Sequence, residues 1–131
     1  MFKLIKIMNY EVTRDLVFES IETKKKYQVF DDSDILGKNQ FDFLKVNQTY
    51  NCKFSIFGSV DNTGQEFNVI GLKKIGYMDF AKIQNMVGDI FYFPNSSKFK
   101  ENGIVHIKVD RYDLIEVNGI IHDRSLTNLM K

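Results

Sequence analysis

The chain has 131 residues, of which 44% are apolar and 14% aromatic, and its formal net charge is +1. A chain of this length fits one domain, residues 1–131, with a sizeable hydrophobic core, and its composition excludes a disordered protein. Because basic and acidic side chains are spread evenly along the chain, no basic segment indicates a nucleic-acid or membrane partner.

The N-terminal part of the chain alternates apolar and polar side chains, which is typical of strands with one buried face. Residues 2–8 form a first predicted strand, and residues 16–21 and 27–30 form a hairpin whose lysine-rich tip lies at residues 23–26. The Asp-rich turn that follows is predicted to cap one helical turn at residues 35–37, ahead of an irregular crossing segment.

The clearest predicted hairpin pairs residues 50–60 with residues 65–75 around the turn-forming residues 61–64. Its first strand alternates strictly, and Cys52 lies in the apolar phase, so we expect a buried, unreactive thiol. In the second strand the apolar phase switches beside Gly71, which predicts a bulge or sharp bend there.

Residues 77–87 fit two patterns. Phe80, Ile83 and Val87 have helical spacing, which favours a short helix, whereas the alternation around Phe80 is also compatible with a strand. Residues 90–93 are predicted to form a strand that a proline ends.

The C-terminal part contains the strongest hairpin signature of the chain. Asn118-Gly119 stands between two apolar runs, and both central residues of a type I′ turn require positive φ. Upstream, residues 105–109 form a predicted strand, and a tight loop at Asp110-Arg111 is predicted to fold the chain back so that Lys108 faces Asp113.

These patterns predict a mainly β, single-domain protein: a curled antiparallel barrel, OB-like or a barrel-like sandwich, with about seven or eight strands and one or two short helices. The last residues, 125–131, are predicted to form a helical turn or to fray. No apolar run approaches the ~20 residues of a membrane helix, and lysines interrupt the first run, unlike a signal peptide. We therefore expect a cytoplasmic protein with no membrane partner, and the Lys, Phe, Ile and Asn content favours a bacterial or phage source.

The sequence contains no recognised motif for catalysis, metal binding or cofactor binding. His106 and His122 fall in one row of the predicted register, but two strand steps separate them by ~10 Å, too far for a shared zinc ion. Carboxylates are plentiful, yet the sequence nominates no acid–base pair. We therefore expect no metal and no cofactor, and a small hydrolase of unrecognised type ranks third among the functions considered.

Recognition of a protein partner is the leading expectation. A nearly neutral, Phe-rich and Tyr-rich domain without catalytic motifs suits an inhibitor, an immunity-type protein or an adaptor. An open strand edge, such as that of residues 2–8, is also a place where a second copy of the chain could pair, so a homodimer is a further possibility.

Single-stranded nucleic-acid binding is the alternative, because OB-like barrels bind single strands with aromatic rings beside basic side chains. The candidate binding surface comprises Lys53, Phe57, Lys73, Lys74 and Tyr92. Phe57 and Tyr92 point opposite to the core phase of their strands. The competing interpretation is that both rings pack under loops or fill a second small core.

Overall fold

The computed structural model describes residues 1–33, 40–94, 99 and 102–122, and all the regular structure within these residues is β-strand. The strands are β1 (Phe2–Asn9), β2 (Arg14–Ser20), β3 (Lys26–Asp31), β4 (Thr49–Tyr50), β5 (Cys52–Ile75), β6 (Met78–Asn85), β7 (Ile90–Phe93), β8 (Ile104–Val117) and β9 (Ile120–Ile121). The helical turns expected at residues 35–37 and 125–131 lie outside the described residues.

The strands form one curled mixed sheet in the order β4-β1-β2-β3-β8-β5-β6-β7, with β9 paired to β8. The curl arises because β5 pairs with β8 along one edge and with both β6 and β7 along the other, which bends the sheet into a half-barrel. Paired strands are antiparallel except for β3 with β8 and β5 with β7, which are parallel. The expected mainly β, curled architecture is confirmed, with a mixed sheet in place of a wholly antiparallel one.

Apolar side chains fill both faces of part of this sheet. The main core lies inside the curl, and its fully buried side chains include Leu4, Leu16, Phe18, Phe54, Ile56, Phe67, Ile83, Phe91 and Ile107. A smaller second core on the outer face contains Ile75, Phe80, Tyr92 and Ile115. Cys52 belongs to the main core and is 7% exposed, which confirms that its thiol is buried.

The prediction of a short helix at residues 77–87 is wrong, because β6 occupies most of this stretch and pairs with β5 and β7. Phe80 packs into the second core, while Ala81 and Ile83 pack into the main core on the opposite face. A strand buried on both faces loses its simple alternation. The apolar residues then fall at spacings that resemble those of a helix, and this is why the pattern was ambiguous.

The predicted hairpin around residues 61–64 is also wrong, because β5 runs through these residues without reversing. Val60 and Gln65 both pair with Ile107, so the intervening residues form a large bulge in the β5–β8 pairing. A Cβ atom added at Gly64 would lie 2.2 Å from the carbonyl carbon of Ile107, so only glycine permits this close approach. The turn-forming residues therefore serve a bulge here. The smaller bulge expected beside Gly71 is confirmed by the register shift at that position.

Strand β8 likewise continues through Asp110-Arg111, where a tight loop was expected. Lys108 pairs with Ser59 of β5, so the predicted pairing of Lys108 with Asp113 is wrong. The physical reason is that Asp-Arg is a poor primed turn and the long strand β5 offers a partner on both sides of it. The type I′ hairpin at Asn118-Gly119 is confirmed, with φ values of 50° and 87° at its two central residues.

A buried carboxylate ties the β2–β3 hairpin to the turn between β6 and β7. Asp89 is 5% exposed and accepts hydrogen bonds from the hydroxyl groups of Ser20, Thr23 and Tyr27. The side-chain amide of Asn85 donates to the Tyr27 hydroxyl oxygen. Because each hydroxyl donates to the carboxylate and the amide donates to the Tyr27 hydroxyl oxygen, the network holds the N-terminal end of β3 in place beside the half-barrel.

Candidate binding groove

The sheet is split between β3 and β8. These strands pair only at Val29 with Tyr112 and at Phe30 with Asp113. Toward the N-terminal ends of both strands, they separate. From Ile104 to Arg111, no described residue pairs with the edge of β8 that faces away from β5. The separation leaves an open groove of about 390 Å³ beside residues 109–112 of β8.

The groove extends past the β2–β3 hairpin. Its wider part is lined by Asp15, Lys25, Lys26, Tyr27, Gln28, Phe30, Gln65, Val109, Asp110, Arg111 and Tyr112. A second hollow of about 300 Å³ is lined by Lys25, Gln65, Glu66, Asn85, Met86 and Val87. Because Lys25 and Gln65 line both hollows, the two are continuous, and we call them together the β3–β8 groove.

Two tyrosine rings form the floor of the β3–β8 groove. Tyr27 and Tyr112 meet edge to face, with ring centroids 5.4 Å apart. Burial raises the pKa of the Tyr112 phenol above its ordinary value, and burial together with the hydrogen bond to Asp89 raises the pKa of Tyr27. Both phenols are therefore protonated at neutral pH, and the floor is uncharged.

One end of the groove carries an arginine between two aromatic rings. The Arg111 guanidinium carbon lies 4.7 Å from the ring centroid of Phe30 and 4.8 Å from that of Phe57. Arg111 Nε donates to Asp113 Oδ1 at 2.5 Å and Nη2 donates to Oδ2 at 3.2 Å. The hydrogen bond that Arg111 donates to Asp113 also raises the pKa of Arg111. Register explains the arrangement, because Phe57 pairs with Arg111 and Phe30 pairs with Asp113.

The other end of the groove is aliphatic. Met86 is 72% exposed and Val87 is 52% exposed in the turn between β6 and β7. Gly88 closes this turn with a φ of 108°, and the side-chain amide of Gln84 donates to its carbonyl oxygen. Two exposed apolar side chains on a hydrogen-bonded turn are an unusual use of surface, and such patches commonly mark interaction sites.

The charges along the rim are mixed. Lys25, Lys26 and Arg111 contribute positive charge, and Asp15, Glu66 and Asp110 contribute negative charge. The Lys25 ammonium also lies 5.8 Å from the ring centroid of Tyr27, which places it over the floor of the groove. The rim therefore lacks the continuous basic character of a channel for a phosphate backbone.

The structure places the five residues of the predicted binding surface in different settings. Lys53, Phe57 and Tyr92 are neighbours, because Ser55 pairs with Tyr92. However, Lys53 forms an ion pair with Glu116, and Tyr92 is buried in the second core against Phe80. Lys73 and Lys74 are exposed near the far end of β5, and Lys74 Nζ lies 3.9 Å from Asp79 Oδ1.

Of these five residues, Phe57 alone lies against a residue that lines the groove: it is 54% exposed and its ring packs on Arg111. Sequence reasoning missed Phe30, Arg111 and the exposed Met86 and Val87. The pairing of Phe57 with Arg111 was hidden by the expected loop at Asp110-Arg111, which directs Arg111 away from β5. The signal that could have found it is the unfavourable turn chemistry of that dipeptide.

The two histidines do not share a site. His122 is 3% exposed, its Nε2 lies 2.6 Å from Asp32 Oδ1, and its backbone amide donates to Ile115. His106 lies nine residues before Ile115 on the same strand, about 30 Å along an extended chain, and its Nε2 is 3.6 Å from Glu66. The predicted placement of both histidines in one row is therefore wrong.

A smaller cavity of about 240 Å³ lies beside His122, and its polar wall includes Asp32, Ser55 and Asp113. Among the hydrogen bonds of the described residues, none joins a serine, threonine or cysteine side chain to either histidine. Within the same residues, no group of three His, Cys, Asp or Glu side chains is arranged to hold a metal ion.

Comparisons with known proteins leave the function to be argued from this geometry: no protein-family model, curated protein or solved structure matches the chain. In the part of the chain that the structure describes, no helix has the length and apolarity needed to cross a membrane.

Proposed function

We propose that this protein is a non-enzymatic recognition domain that binds a protein partner through the β3–β8 groove. The observation that carries the proposal is the Arg111 side chain held between Phe30 and Phe57 at the mouth of an open groove. Arginine and large aromatic residues are the side chains that most often dominate protein–protein binding energy.

The arrangement is also ordered before any partner arrives. Asp113 holds Arg111 by two hydrogen bonds, and the two rings hold its flat faces. A side chain that is already fixed loses little rotamer freedom on binding, so more of its contact energy becomes affinity. The exposed Met86 at the opposite end offers a flexible apolar contact that adapts to the surface it meets.

Mixed rim charges favour a protein partner over nucleic acid. Single-strand binding remains the alternative proposal, and the exposed ring of Phe57 beside Arg111 is the feature that favours it. The acidic groups of Asp15 and Asp110 weaken attraction for a phosphate backbone. An inhibitor, immunity-type or adaptor role in the cytoplasm fits the same groove, and these finer assignments are part of the proposal.

The test is a selection of phage-displayed random peptides on the immobilised protein, followed by affinity measurements with the synthetic peptides. We expect Phe57→Ser and Met86→Ser each to weaken binding about tenfold or more, the loss typical of an interface residue worth at least ~1.4 kcal/mol. Leu72→Ser is the matched control, because Leu72 is 64% exposed and pairs with Ala81 of β6, whereas Phe57 pairs with the groove residue Arg111. Its affinity should equal that of the unaltered protein.

Three outcomes contradict the proposal. The first is a selection that yields no peptide above background. The second is a set of peptides whose affinity falls as much with Leu72→Ser as with the groove variants. The third is tight binding of a fluorescent oligothymidine that weakens steeply with added salt, which would instead support the nucleic-acid alternative.

A further inference from the structure

We propose that the partner enters the β3–β8 groove as an extended segment and adds a strand to the open edge of β8. This inference rests on the proposed function and specifies how the partner is held. An unpaired strand edge presents a row of backbone donors and acceptors, and the group that satisfies such a row is another extended backbone.

The backbone groups of β8 are directed for this pairing. Val69 of β5 directs both its backbone amide and its carbonyl toward the residues just before β8, Asn102 and Gly103. Because backbone directions alternate along a strand, Phe67 and Gln65 also direct theirs at β8, so their register partners Val105 and Ile107 point their amides at β5. His106 and Lys108 therefore point theirs at the open edge, where no described residue pairs with them.

The outer edge of the sheet, by contrast, is protected against strand addition. The outermost strand β4 has two residues, and the register of β1 shifts between Leu4 and Lys6, which marks a bulge or irregularity in its pairing with β2. Short edge strands and bulges are the usual means of preventing unwanted pairing. The open edge of β8 spans residues 104–111, about 26 Å at 3.3 Å per residue, and β8 pairs with β5 along most of this stretch. Residues 109–111 of this open edge line the groove, and residues 104–108 continue the same edge beyond the groove lining.

The groove also defines the segment that fits. An edge of this length accommodates about eight extended residues. An apolar side chain near one end of the segment would contact Met86 and Val87, and one near the other end would contact the exposed ring of Phe57. Because three basic and three acidic side chains line the groove, the segment should carry little net charge.

The test uses peptides from the phage selection, methylated at one backbone nitrogen at a time. Methylation removes a single N–H and leaves the protein unaltered, so misfolding cannot explain the result. Strand addition predicts that methylation at every second position weakens binding about tenfold, since a blocked hydrogen bond also leaves its acceptor unpaired. Methylation at the intervening positions, where N–H groups point away from β8, is the matched control and should leave affinity unchanged.

Amide hydrogen exchange supplies a second readout. Binding of the unmethylated peptide should slow exchange at His106 and Lys108, whereas Val105 and Ile107 already donate to β5 and should change little. Uniform tolerance of methylation, or unchanged exchange at His106 and Lys108 on saturation, would overturn strand addition. If the same peptides still lose affinity with Phe57→Ser and Met86→Ser, the proposed function survives and recognition is by side chains alone.

Discussion

Along one edge β8 pairs with β5 from Cys52 to Asn68, whereas along its other edge it pairs with β3 at only two positions. At the first edge, Gly58 and Gly64 of β5 approach the backbone of β8 closely, and this edge borders the main core. The second opens into a groove whose walls are polar and whose ends are apolar. Strand β8 thus forms most of the long-range pairing through its edge with β5, and its opposite edge is left free to interact.

The largest expected effect comes from breaking the β5 edge. A Cβ atom at Gly58 would lie 2.2 Å from the carbonyl oxygen of Lys108, and backbone cannot move aside cheaply. We expect Gly58→Ala to lower the free energy of unfolding by about 3 kcal/mol or more, measured by urea denaturation. Gly71→Ala is the control, because no atom lies within 4 Å of its added Cβ. Its stability should be unchanged or up to ~1 kcal/mol higher, and equal losses in both variants would contradict the assigned close approach.

A second substitution tests what holds the loosely paired β3 in place. Asp89→Ala removes the acceptor of three hydroxyl groups, and we expect it to destabilise the protein by about 2–3 kcal/mol. The partly exposed Asp61, which accepts hydrogen bonds from the amide and hydroxyl of Thr63, provides the control in Asp61→Ala, with a loss of ~0.5 kcal/mol or less. Hydrogen exchange in Asp89→Ala should rise first at β3. Faster exchange at β5 before β3 would show that the network supports the other edge.

A third test measures how stability depends on pH through Cys52, whose thiol packs on the core side of β5. Burial raises the pKa of the Cys52 thiol to about 12. A raised pKa means that the folded state holds the proton after the unfolded state has released it, so stability falls as pH rises above the ordinary thiol pKa. The loss should be about 1.4 kcal/mol per pH unit in that window. Cys52→Ala should remove this component, and identical slopes of unfolding free energy for both proteins between pH 9 and 11 would refute it.

The smallest stability effect is expected at the groove. Arg111→Ala removes a partly exposed ion pair and two ring contacts, so we expect a loss of about 1 kcal/mol or less in the free energy of unfolding. The same change should abolish most peptide binding, because it removes the centre of the recognition site. Thermal unfolding and peptide titration of one sample separate the two effects. A large stability loss with unaltered binding would assign Arg111 to the structure alone.

The sequence patterns predicted strands well where one face is buried and turns well where residue chemistry is decisive. The Asn118-Gly119 hairpin and the buried phase of Cys52 both follow from local rules. The patterns failed at β6, because apolar contacts on both faces disguise the strand period. They also failed at Asp110-Arg111, where pairing with a distant strand overrides the local turn tendency.

Local sequence patterns could not predict the groove either, because it also depends on pairing between distant strands. Phe57 and Arg111 are distant in sequence, and they meet because three register shifts set the pairing of β5 against β8. The unpaired edge of β8 likewise depends on where β3 leaves the sheet, and no residue pattern marks that point. The sequence did predict two outward-facing aromatic rings. Tyr92 is buried and Phe57 is exposed.

The long pairing of β5 with β8 also bears on how the chain folds. Its register joins Asn68 to Ile104, so a large loop must close before the first of these hydrogen bonds forms. The hairpins β2–β3, β5–β6, β6–β7 and β8–β9 involve neighbouring strands and can form early. Docking of β3 onto β8 adds only two residue pairs, so it is expected to stabilise the sheet little until the other strands have assembled. The groove is therefore expected to be the last feature to appear during folding and the first to disappear in partial unfolding.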